Sequence, residues 1–163
     1  DEYNKKELLK LDKKVSLIYR NYTKKNIDID LLNIKEFCKN NGNKFYLSNY
    51  KNKALNYNAD GLYIPSFNRS KVFKNSINKK GFKIIGSAHN TKEVIEKIHQ
   101  GCTTIFISPV FRSKGFRIAL GVTKLNRITI NFKSKFIALG GINVNNIKNL
   151  IWPMYVGLRL YPG

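Results

Sequence analysis

Histidine, cysteine, methionine and tryptophan are scarce in this chain of 163 residues, which has two, two, one and one of them. The two cysteines, Cys38 and Cys102, lie far apart and form no CxxC or Cys/His cluster, so neither a zinc finger nor a disulfide framework is available. Both read as small buried hydrophobes in a reducing compartment, and the expected location is cytoplasmic. No run approaches the ~20 apolar residues a membrane helix needs, and no secretory signal pattern opens the chain, so no membrane partner is expected. Acidic residues are few as well, ten against thirty basic ones, giving a formal net charge of +20.

A charge of that size invites nucleic acid as a partner. Only six of the basic residues are arginine, whose planar fork favours phosphate and base edges, and the lysines are spread along the whole chain among asparagines and isoleucines. That pattern points to coding bias and a general attraction for anionic metabolites, against nucleic acid as the primary partner. Hydrophobic residues at 42% and aromatics at 12% exclude a disordered chain. The length suits one domain, 1–163, and no linker or low-complexity segment divides it.

The hydrophobic period changes repeatedly along the chain. "DEYNKKELLKLD" reads as a helix with Leu8, Leu9 and Leu11 on one face. Strands are expected at 15–19, 44–47, 61–64, 82–86, 103–108, 135–139 and 154–158. Helices are expected at 30–42, 51–58, 90–101, about 119–127 and 143–151, with Asn90 or Thr91 as an N-cap and Gly42 and Gly101 as stops. Strands alternating with helices predict parallel βα units. Seven strands, opening after a helix and ending on a strand, match a (β/α)8 TIM barrel without its first strand and last helix. A doubly wound open sheet is the alternative.

In both architectures chemistry sits at the C-terminal ends of strands. Those ends supply Arg20, Ser48, Asn49, Ser66, Asn68, Ser87, His89, Ser108, Gly140, Gly141 and Arg159. His89, directly after an apolar strand in "KIIGSAHN", is the candidate proton-transfer group, since imidazole both accepts and donates near neutral pH. The bland alternative is that it caps the following helix or bonds Ser87. "IALGGIN" (137–143) runs a strand into Gly140-Gly141 and toward a helix start, a pattern that suits a bound anion such as phosphate in preference to a mere tight turn. His99 and the lysine runs read as solvated surface.

"SAHN", "GCTTIFISPVF", "ALGV" and "FIALGGINVNNI" together resemble the thiamine phosphate synthase/TenI family. Upstream, "LIYRNY" and "YLSNYKNKALNYNADGLYIPSFN" are similar to further family segments in the same order. The resemblance runs from about residue 15 to the end and implies a TIM barrel. It also implies a thiazole phosphate as ligand, with Gly140, Gly141, Leu160 and Tyr161 at the phosphate and Arg20, Ser87 and Ser108 near the substrate. Pro162, with no N–H, departs from the family's ending. Synthase members hold Mg²⁺ with two aspartates, and those positions are Asn49 and Asn68 here, neutral amides in place of carboxylates. The resemblance is closer to the TenI branch, whose thiazole tautomerases use a histidine at the place of His89 and no cofactor.

The expected function is therefore a TenI-like thiazole tautomerase. The alternatives are a thiamine phosphate synthase with a degenerate Mg²⁺ site, a non-catalytic phosphometabolite binder and a basic nucleic-acid-binding protein. A barrel short of one strand leaves two open edges, which a homodimer would cover.

Overall fold

A computed structural model of the chain describes residues 5–70, 79–112, 118–150 and 155–156. The chain forms two compact units, residues 1–63 with 77–84, and residues 64–76 with 85–163.

The first unit holds α1 (Lys5–Leu8), β1 (Ser16–Tyr19), α2 (Asp28–Asn41), β2 (Lys44–Ser48), α3 (Lys51–Asn56) and most of β3 (Gly61–Ile64). β1 pairs in parallel with β2, Ser16 opposite Lys44, and β2 with β3, Tyr46 opposite Gly61. α2 forms because Leu31, Ile34, Phe37 and Cys38 recur at helical spacing, and all four are buried. Asp28 and Asp30 occupy its first turn, where the helix dipole favours acids. Gly42 ends it in the left-handed region at φ 73°, its N–H donating to the Cys38 carbonyl. The buried Asp30 carboxylate accepts from the Tyr19 hydroxyl at 2.6 Å and from Lys24 Nζ at 3.0 Å, tying α2 to the end of β1. α1 is shorter than the leucine spacing predicts: it stops at Leu8, and Leu9 is exposed.

The second unit holds β4 (Lys83–Ala88) from Ile85 on, α4 (Thr91–His99), β5 (Thr104–Ile107), α5 (Val122–Ile130), β6 (Lys135–Ala138) and β7 (Tyr155–Val156). β4, β5, β6 and β7 pair in parallel in chain order, with Ile85 opposite Thr104, Thr104 opposite Lys135 and Ile137 opposite Tyr155. Ile105, Ile107, Val94, Leu125 and Val110 are fully buried and form its core. Asn90 is the N-cap of α4: its Oδ1 accepts from the Glu93 N–H at 3.0 Å, a capping bond anticipated from the sequence.

Two helices of the second unit also depart from expectation. α5 starts only at Val122, after Leu120 and Gly121 have donated their N–H groups to the Pro109 and Val110 carbonyls. The helix expected at 143–151 is a single 3-10 turn, Ile147–Asn149. Asn143 Oδ1 accepts from the amides of Asn145 and Asn146, and Asn146 Oδ1 accepts from the Asn143 amide. This reciprocal pattern is a capping box at Asn143, and the helix it opens ends after one turn, before Leu150. The fold is α/β with parallel strands, and a complete eight-stranded barrel is not among the described pairings.

Candidate functional site

β1 and β2 bring Tyr22 and Ser48 together in the first unit. The two hydroxyls share a hydrogen bond of 2.6 Å. Burial pushes the Tyr22 phenol above its ordinary value, while the Ser48 bond and the Arg20 charge oppose the rise. Asn49 follows in the left-handed region at φ 70°, its N–H donating to the Tyr63 carbonyl. Arg20 is half-buried beyond the end of β1.

His89 follows β4 in the second unit and is half-buried. Its backbone N–H donates to Glu93 Oε2 at 2.8 Å, and its ring Nδ1 hydrogen-bonds the Ser108 carbonyl just beyond β5. Its side chain therefore neither caps α4 nor bonds Ser87, which lies buried within β4 opposite Phe106.

Ser108 leads into Pro109, and this segment lies against the glycine pair. A Cβ on Gly140 would come within 2.7 Å of Pro109 Cα, and one on Gly141 within 2.4 Å of the Arg112 carbonyl oxygen. Val110 and Phe111 donate their N–H groups to the Leu139 and Gly140 carbonyls. With φ of 87° and 67°, both positions also need glycine for backbone reasons. The close approach that the sequence suggested for a ligand is thus made by the chain's own 109–112 segment. The amides of Gly140, Gly141 and Ile142 have no hydrogen-bond partner among the described residues. The helix start expected after them is the Asn143–Asn146 turn, so these amides act without a helix dipole.

One second-unit feature escaped the sequence reading. Lys97, fully buried, donates from Nζ to the Asn68 carbonyl at 2.7 Å and to Gln100 Oε1 at 2.8 Å. Gln100 Nε2 reaches the Asn68 and Ser70 carbonyls at 2.9 and 2.8 Å. Together they clamp the segment after β3 onto α4. Burial pushes the Lys97 amine below its ordinary value. The signal was present in the sequence, since Lys97 falls three residues after Val94 on the apolar face of α4.

The donor set does not suit magnesium. Asn68 Oδ1 is engaged by the Ser70 N–H at 2.8 Å, Asn49 offers only a neutral amide, and no group of three His, Cys, Asp or Glu is gathered among the described residues. Cys38 and Cys102 are buried free thiols, pushed up by burial to about 11 and about 12. Arg159, Leu160, Tyr161 and Pro162 lie outside the described residues. Among the described residues no helix is long and apolar enough to cross a membrane.

The parallel strands with a histidine and a glycine pair at their ends match a known family. The thiamine monophosphate synthase (TMP-TENI) family matches residues 6–154. The chain belongs to this family. It is 31% identical over 125 residues to a thiamine-phosphate synthase of Prochlorococcus marinus strain AS9601, covering 74% of this chain and 35% of that protein. It is 27% identical over 123 residues to a thiamine-phosphate synthase of Methanocella arvoryzae, covering 74% of this chain and 58% of that protein. The chain thus spans from about a third to just over half of these curated relatives. Among solved structures, a thiamine phosphate pyrophosphorylase from Pyrococcus furiosus superposes with a TM-score of 0.64 at 18% identity, covering 83% of this chain and 65% of that one. The citrate synthase SbnG superposes with a TM-score of 0.62 at 11% identity, covering 88% and 76%. At these identities the structural likeness speaks for the fold.

Proposed function

We propose that this member of the thiamine monophosphate synthase family binds a phosphorylated thiazole and acts on it as a TenI-like tautomerase, with His89 as a metal-free acid/base. The observation that carries the proposal is the continuity of the second unit's strand ends: His89 bonds Ser108, and the residues after Ser108 pack on Gly140 and Gly141. A proton-transfer group and three unpartnered amides are thereby joined through one short segment. Aromatising a thiazole carboxylate phosphate takes a proton off one ring position and returns it to another. A single imidazole performs both transfers, and the amides hold the phosphate anion.

A second reading, a thiamine phosphate synthase, draws on the names of the curated relatives. The amides at Asn49 and Asn68 weigh against its Mg²⁺ site. A protein that binds the phosphate without turnover is the third.

Calorimetric titration with hydroxyethylthiazole phosphate at physiological salt, beside the same thiazole without phosphate, tests the binding. Phosphate-dependent binding is expected, and equal or absent binding of both would end the proposal. If His89→Asn aromatises the tautomer at the wild-type rate, the catalytic role is refuted.

A further inference from the structure

A histidine that moves protons must present one particular nitrogen, and the surroundings of His89 select which. The Ser108 carbonyl oxygen accepts hydrogen bonds and cannot donate them, so the ring nitrogen facing it must carry the proton. That nitrogen is Nδ1. In neutral imidazole a proton on Nδ1 leaves Nε2 with the free lone pair, whereas free histidine in water favours the opposite tautomer. The backbone on the other side is fixed too. Glu93 Oε2 accepts the His89 N–H at 2.8 Å, and Glu93 Oε1 is held by Asn90 Nδ2 at 2.9 Å. Glu93 lies in the first turn of α4, and Ser108 follows the last residue of β5 directly.

We propose that the Ser108 carbonyl is a positioning group that locks His89 as its Nδ1–H tautomer, on a backbone held by the Glu93 carboxylate, making Nε2 the reactive nitrogen of the site. The assignment of Nε2 to chemistry rests on the function proposed above, while the tautomer itself does not. In the reaction the Nε2 lone pair takes a proton as a substrate C–H bond breaks, giving imidazolium. The same Nε2–H then protonates the second ring position and the neutral Nδ1–H form returns. Throughout, Nδ1–H keeps its bond to Ser108, and that bond strengthens while the ring is charged. No metal or other co-reactant enters the balance.

The same geometry makes the side-chain amides of asparagine and glutamine unequal replacements. The Asn amide nitrogen falls where Nδ1 lies and can donate to the Ser108 carbonyl, whereas the Gln amide reaches toward the Nε2 position. His89→Asn is therefore expected to keep the tie to β5, and His89→Gln to lose it.

The test is nitrogen-15 NMR of the imidazole side chains of the unliganded protein above the histidine titration. With only His89 and His99 in the chain, His99→Gln assigns both signals. His89 is expected to show a protonated Nδ1 and an unprotonated Nε2, and the exposed His99 the reverse preference. Thermal melts form the second readout: His89→Asn should stay near wild type, and His89→Gln should melt lower by roughly 2–4 °C. A predominantly Nε2–H form of His89, or a His89→Gln variant as stable as His89→Asn, overturns the proposal. These readouts need no thiazole, so failed thiazole binding beside an intact Nδ1–H signature would count against the function alone. The reverse pattern would count against the tautomer alone.

Discussion

Replacing Lys97 by methionine preserves the apolar stem that passes over Gly86 and removes only the terminal amine. Two hydrogen bonds disappear, but their loss is uneven. The Asn68 carbonyl keeps its bond from Gln100 Nε2, whereas Gln100 Oε1, on a residue only 2% exposed, loses its donor. Leaving such an acceptor unpaired costs about 1–3 kcal/mol. Opposing this, the variant no longer confines an ammonium in a site with no carboxylate within ion-pair distance among the described residues. The orphaned acceptor should dominate, leaving Lys97→Met less stable by about 1–2 kcal/mol at pH 7. That corresponds to a melting temperature lower by roughly 2–6 °C.

The pH dependence of the difference has a definite sign. Burial lowers the folded-state value of Lys97 below 10.5; Cys102, Glu96 and Glu93 hold it up, and Arg69 pushes it further down. Between the lowered value and 10.5 the unfolded chain binds more protons than the folded one, so stability rises with pH through that window. The advantage of wild type over Lys97→Met must therefore widen as pH climbs toward 10.5 and level off above it. Urea unfolding of both proteins at a series of pH values measures this. A variant as stable as wild type at pH 7, or a gap that stays flat with pH, would refute the reasoning.

Asp30→Ala removes the acceptor of Tyr19 and Lys24 and should cost roughly 1.5–3 kcal/mol at neutral pH, read by urea unfolding. Burial raises the Asp30 carboxyl, but the Tyr19 and Lys24 bonds outweigh it and the value lies below 3.8. Its contribution is thus complete above 3.8 and lost as pH falls through the lowered value, so the gap to wild type should close in acid melts below about pH 3.8. Gly61→Ala would place a Cβ 2.2 Å from the Lys83 carbonyl oxygen and 2.7 Å from the Tyr46 ring. Overpacking of that kind should cost about 1–3 kcal/mol by denaturant titration, although alanine is the better strand former in open space.

The order and type of elements follow from the sequence alone, because the spacing of apolar residues sets the period of each segment. "GLYI" forms β3 at the residues expected, and "NTKEVIEKIHQG" carries both its cap, Asn90, and its amphipathic face. The family is legible too, since its motifs occur in register along the chain. What depends on partners distant in sequence is not legible. Gly140 and Gly141 read as a close backbone approach, and folding alone shows that on the side where a Cβ would stand it is the 109–112 segment that approaches. Lys97 reads as one more lysine of a basic chain, and folding alone brings the Asn68 carbonyl to its amine. His89 was visible as a residue, but which of its nitrogens is free follows only from the Ser108 carbonyl, 19 residues away in sequence. Local periodicity encodes the elements, whereas hydrogen-bond partners contributed by other elements assign the roles of the side chains between them.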